Sequence, residues 1–114
     1  MDALEKLRFE SLGDVVLAYV TGEIDLSNAP SVRRQLFDAI PNTASALVLD
    51  LSDTQHLDSS GVQLIFELAE RLGSRGQKLS LVVPDHSIVR RILVLTEVHQ
   101  AVPLFTSLDA VLRD

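Results

Sequence analysis

Three short, mostly apolar stretches, Val15 to Val20, Ala46 to Leu51 and Lys78 to Val83, constrain this chain more than any other feature. None approaches the ~18 residues that suggest a membrane span. Each suits a buried strand of about 4–8 residues bounded by turn residues. Between them lie stretches with apolar residues at helical spacing. Ala29, Val32, Leu36 and Ile40 form the first, and Val62, Ile65, Phe66, Leu68, Ala69 and Leu72 the second. Strands that alternate with helices require crossover connections, which make the strands parallel. Ahead of them, Leu7, Phe9 and Ser11 alternate with polar neighbours, and Gly13-Asp14 interrupts before Val15. That is the pattern of a hairpin whose second strand is buried on both faces. The chain is therefore expected to form a single α/β domain over residues 1–114, a mixed β-sheet built from an N-terminal hairpin and then alternating helix and strand, packed with about four helices.

Local signals place the boundaries. Thr21-Gly22-Glu23 reads as a glycine break after the second strand, and Ser27 or Asn28 as the cap of the first helix, with Pro30 in its first turn. Ser52 to Asp58 reads as a polar loop. The second helix starts at Ser59 or Ser60 and ends near Gly73, with Leu64 at the edge of its apolar arc, where it is expected to stay partly exposed. Asp85 or Ser87 caps a third helix running to about Leu95. Val102 to Phe105 is a short strand that Pro103 assigns to a sheet edge, and Ser107 to Arg113 adds a last helical turn or two.

Composition narrows the function classes. Sixteen acidic residues against ten basic ones give a formal charge of −6, which repels a phosphate backbone, and Arg33-Arg34 and Arg90-Arg91 form no basic stripe. Nucleic acid is not an expected partner. With no cysteine there are no disulfides, thiol nucleophiles or thiolate metal sites. His56, His86 and His99 lack the spacing of a metal-binding pair, so no metal or cofactor is expected. The first residues lack the basic and apolar regions of a secretory signal, so a cytoplasmic, monomeric protein with no membrane partner is expected. No G-x-x-x-x-G-K-[ST] loop and no G-x-S-x-G elbow occur, and no nucleophile, base and oxyanion set can be assembled. A phospho-receiver domain should show clustered acidic residues after its first strand and a lysine near its last, and this chain shows neither. The chain does not read as an enzyme.

Leu57-Asp58-Ser59-Ser60-Gly61-Val62 is the most informative segment. It joins the loop after the central strand to the start of an amphipathic helix, at the strand ends where open α/β sheets place ligands and partners. Helix N-termini favour anions, and a serine there can accept a phosphoryl group carrying about −1.5 to −2 charge. Gly61 is expected to let a partner approach closely. Asp58 either caps the helix or positions and helps deprotonate Ser59, and Asp25 either orders the neighbouring turn or contacts the partner.

Gly22-Glu23-Ile24-Asp25, Val48-Leu49-Asp50-Leu51-Ser52 and Leu57-Asp58-Ser59-Ser60-Gly61 occur in an order and at a spacing that closely resemble the STAS domain, in particular the stand-alone bacterial anti-sigma factor antagonists. Val89 to Leu112 is similar to the tail of that family, so the likeness runs from about Leu7 to Leu112. The resemblance implies a binding module switched by phosphorylation. The serine after the aspartate, Ser59 here, would be phosphorylated by the anti-sigma factor, a serine kinase of the histidine-kinase-like ATPase fold. Unphosphorylated antagonist would hold that factor and free the sigma factor, and a PP2C-type serine phosphatase would reset the cycle. The same helix would supply Ser60, Gln63, Leu64 and Glu67 to the contact, beside Asp25, Asp58, Ser59 and Gly61, with Ser60 structural rather than the acceptor. An alternative within the family is a stand-alone STAS subunit docked on the ATPase of a lipid-transporting ABC system without a phospho-switch. Gln63 and Glu97 stand where many members carry a small residue, often glycine.

Overall fold

The hairpin expected at the start of the chain turns on Gly13, whose φ of 61° at the first central position, followed by Asp14 at negative φ, is the type II′ arrangement. It joins β1 (Glu5–Leu12) to β2 (Val15–Ile24) in antiparallel register, with Leu12 opposite Val15. The structure, a computed structural model, describes residues 5–113. After β2 come α1 (Ala29–Ala39), β3 (Ala46–Asp50), β4 (Thr54–Leu57), α2 (Ser59–Ser74), β5 (Lys78–Val82), α3 (Ile88–Leu95), α4 (Val98–Ala101), β6 (Leu104–Phe105) and α5 (Leu108–Arg113). The sheet order is β1-β2-β3-β5-β6, parallel throughout apart from the opening hairpin, and β4 pairs with the far end of β2.

Side chains alternate across this sheet, and the alternation divides the interior into two parts. Val16, Ala18 and Val20 of β2, Leu47 and Leu49 of β3, and Leu79 and Leu81 of β5 face the main core, where α1 to α4 bury Leu36, Ile65, Leu68, Leu72, Leu93 and Val98. Leu17, Val48 and Val82 point to the opposite face, where Leu108 and Val111 of α5 partly cover them. The mixed α/β architecture agrees with expectation, and the parallel strands are buried on both faces.

Four local readings are corrected. Gly22 does not break β2. At φ 98° it sits where the register shifts between Gly22 and Glu23, and the strand continues to Ile24. The expected loop from Ser52 to Asp58 contains β4. Its two outer residues, Thr54 and Leu57, are buried while Gln55 and His56 are exposed, a pattern too short to show as alternation. The Thr54 hydroxyl donates to the Val20 carbonyl at 2.7 Å, so a polar side chain anchors the strand. The helices number five among the described residues, the extra one being the single turn α4, which Glu97 opens in the left-handed region at φ 65°. Leu64 and Phe66 exchange places, Leu64 being 3% exposed and Phe66 38%. The buried arc of α2 centres near Leu68 and Leu72, and at about 100° per residue Leu64 lies closer to that centre than Phe66 does.

Candidate functional site

Every feature of the site follows from how the ends of β2 and β4 meet the start of α2. Gly61 is the point of closest approach. A Cβ there would lie 3.1 Å from the Ile24 carbonyl oxygen and 3.2 Å from Leu57 Cδ2. Gly61 is buried against the sheet, so the expectation that it opens room for a partner is corrected: its missing side chain lets the helix seat on β2. The Asp58 N–H donates to the Ile24 carbonyl at 3.2 Å and closes the same junction.

Asp58 is the N-cap of α2. Oδ1 accepts from the backbone N–H groups of Ser60, at 2.8 Å, and Gly61, at 3.2 Å. Oδ2 accepts from the N–H of Leu26, at 3.1 Å, on the turn between β2 and α1. One carboxylate thus joins two loops that are 32 residues apart. Both of its oxygens accept from backbone donors, so Asp58 caps the helix and fixes the backbone on either side of Ser59.

The neighbouring turn is ordered by its own side chains. Asp25 Oδ1 accepts from the Ser27 hydroxyl at 2.6 Å and from the Ser27 N–H at 2.9 Å. These bonds, the hydroxyl's above all, hold the Asp25 carboxyl below its ordinary pKa. Asn28 is buried and does not cap α1 with its side chain. Its Oδ1 accepts from the Asp25 N–H at 2.9 Å and its Nδ2 donates to the Glu23 carbonyl at 2.8 Å.

Ser59 is exposed at the head of α2, and Ser60 behind it is half-buried. Beside them runs a groove of about 250 Å³ between α1 and α2, lined by Ala29, Pro30 and Arg33 on one side and Ser60, Gln63 and Glu67 on the other. Leu64 was expected to stay partly exposed at the edge of the apolar arc. It is buried between the two walls and contributes only a narrow strip to the lining. Leu26, 77% exposed, stands at the rim next to the Asp58 cap and did not emerge from sequence reasoning. A single leucine in a polar turn gave no periodic signal to find it by. At the far end Arg33 Nε pairs with Glu67 Oε1 at 3.2 Å.

The structure therefore brings Asp25, Asp58, Ser59, Ser60, Gln63, Leu64 and Glu67 to one corner, with Gly61 beneath them. An exposed hydroxyl, two carboxylates and an apolar groove can present a modification site and a docking face. Among the described residues no group of three or more His, Asp or Glu is placed to hold a metal ion, and no helix is long and apolar enough to cross a membrane.

Comparison with known proteins places the chain as a whole. The family model described as the STAS domain matches residues 6–111. The anti-sigma-F factor antagonist RsfB of Mycobacterium tuberculosis is 30% identical over 94 residues, covering 82% of this chain and 75% of that protein. The crystal structure of an anti-sigma factor antagonist from Mycobacterium paratuberculosis superposes with a TM-score of 0.85 at 29% identity, covering 96% of this chain and 95% of the other. The anti-sigma factor antagonist SpoIIAA in its unphosphorylated form shares the fold, with a TM-score of 0.73 at 19% identity over 95% of each chain.

Proposed function

The chain belongs to the STAS domain family, and we propose that it is an anti-sigma factor antagonist whose grip on its partner is released by phosphorylation of Ser59. The observation that carries this reading is the placement of Ser59, which stands exposed on a helix end locked by Asp58 beside an apolar groove. The mycobacterial relatives named as antagonists support the binding role. The proposed partner is an anti-sigma factor with a histidine-kinase-like ATPase fold that doubles as the serine kinase, and a PP2C-type phosphatase restores the hydroxyl. The protein works as a binding module in the cytoplasm and not as an enzyme.

Local electrostatics explain how a phosphate would act. The N–H groups of Ser60 and Gly61, which could otherwise neutralise an anion at this helix start, already donate to Asp58. A phosphate on Ser59 thus gains about −1.5 to −2 charge next to Asp58 with those donors spent. In the free protein, water solvates it. In a complex it must be desolvated beside carboxylates, and that cost favours release.

The test is affinity capture from native-host lysate with wild type, Ser59→Ala and Ser59→Asp as baits, followed by titration calorimetry on the recovered partner. Wild type and Ser59→Ala should bind a kinase-like anti-sigma factor, and only wild type should take up phosphate from it. Ser59→Asp should bind at least tenfold more weakly with an unchanged melting temperature. Recovery of a transporter ATPase by all three baits would overturn the proposal in favour of the ABC-docking role.

A further inference from the structure

The free edge of β1 carries a pattern that fits a second copy of this chain, and we propose that two copies pair antiparallel along β1 through a two-fold axis at Phe9. β1 pairs with β2 and with no other strand among the described residues, so its outer edge presents unpaired backbone groups. The two-residue turn at Gly13-Asp14 makes Leu12 and Val15 a hydrogen-bonded pair, because both residues flanking such a turn exchange backbone bonds. Hydrogen-bonded positions alternate along an antiparallel ladder. Arg8 and Glu10 therefore bond inward to β2, and the N–H and C=O groups of Leu7, Phe9 and Ser11 point outward.

An incoming antiparallel strand must match outward positions to outward positions, which leaves few registers. Centring the pair on Arg8 or on Glu10 sets like charges face to face. Centring it on Leu7 carries Glu10 past the start of the partner strand. Centring it on Phe9 places Leu7 opposite Ser11, Phe9 opposite Phe9, and Arg8 opposite Glu10 at two symmetry-related places. These charged pairs fall at non-hydrogen-bonded positions, where facing side chains are closest.

The charges are also held ready. Arg8 lies over the Tyr19 ring at 4.1 Å and pairs with Glu10 of its own strand at 2.6 Å, and the Tyr19 hydroxyl donates to Glu10 at 3.1 Å. Side chains already ordered lose less freedom on association. Natural edges are blunted by charge that repels a second strand. Here the charge is complementary to itself, so the edge selects its own copy. Since β1 lies across β2 from β3, this pairing continues the sheet into the second copy.

Sedimentation equilibrium on the full chain, over a wide concentration range at low salt, tests the proposal. The mass should rise from one chain to two. Arg8→Glu and Glu10→Arg, each creating like-charged pairs, should weaken the dimer by about tenfold or more. The double exchange Arg8→Glu with Glu10→Arg should restore it. Ser11→Pro, which removes an outward N–H and leaves the hairpin bonds in place, should also weaken it at an unchanged melting temperature. If Ser11→Pro unfolds, the charge exchange decides alone. A monomer at every concentration, or a dimer indifferent to both charge reversal and its repair, overturns the pairing.

Discussion

At Gly61 a single added carbon would be crowded, with the Ile24 carbonyl at 3.1 Å and Leu57 at 3.2 Å. Gly61→Ala should therefore push the α2–β2 contact apart by a few tenths of an ångström and cost about 1 kcal/mol, read from denaturant unfolding. Glu97 presents the reverse case. It adopts φ 65°, a left-handed conformation that disfavours residues with a Cβ, and it is exposed with no tertiary role in evidence. Glu97→Gly should stabilise the chain by about 1 kcal/mol, visible as a raised melting temperature. Sequence comparison had marked Glu97 only as a departure from a common glycine, and the backbone angle supplies the reason for that glycine. Asp25 makes a third prediction. Its folded pKa lies below the ordinary value, chiefly through the Ser27 hydroxyl. A lowered carboxyl stabilises the fold above its unfolded pKa, and that contribution is lost as pH falls through the folded value. In a carboxyl NMR titration Asp25 should thus ionise below the usual aspartate range, and Ser27→Ala should move its midpoint up.

Among the elements, the bounds of α2 were legible almost to the residue, because sixteen residues of helical periodicity leave little choice of ends. The aspartate before it was recognised as a possible cap, but sequence could not decide between cap and base. The cap is seen in the bonds from Ser60 and Gly61, and its second arm runs to Leu26, too distant in sequence to be read beforehand. Asp58→Ala should accordingly cost about 1 kcal/mol or more and loosen the Leu26 turn as well as α2, which amide hydrogen exchange would resolve. β4 was missed for a different reason. Four residues with two inward positions carry no alternation, and a buried threonine hydrogen-bonded to Val20 does not resemble a core residue until the strand is seen. The error over Leu64 and Phe66 is one of phase: centring the arc on Leu68 and Leu72 brings Leu64 inside it and leaves Phe66 beyond its edge. Phe66 keeps its exposure, whereas the guanidinium groups of Arg33 and Arg71 both lie over the Phe37 ring of α1, each 4.6 Å from its centroid, which ties α1 to α2 behind the groove.

For the molecule as a whole, the sheet is covered unequally. Four helices pack over one face and the short α5 over the other, where Leu17, Val48 and Val82 are the only buried cluster among the described residues. Leu93→Ala, in the main core, should cost about 2–5 kcal/mol, while Leu108→Ala, half-buried in α5, should cost less and leave the candidate site unchanged. Denaturant melts of the two variants provide the comparison. The alternation of strand and helix made the main face readable, whereas the weak second face rests on Leu108 and Val111 of a six-residue helix, too short to show a periodic stripe. The contact between Gly61 and Ile24 has a consequence at this scale. It welds the residue after Ser60 to a strand formed some forty residues earlier in the chain, so the serine at the helix head has its geometry only when both are in place. A peptide copied from residues 55–65 would present the same letters without that shape. An enzyme fitted to the shape would pass over nascent, unfolded or proteolysed chains, and the phosphate it added would certify a completed fold.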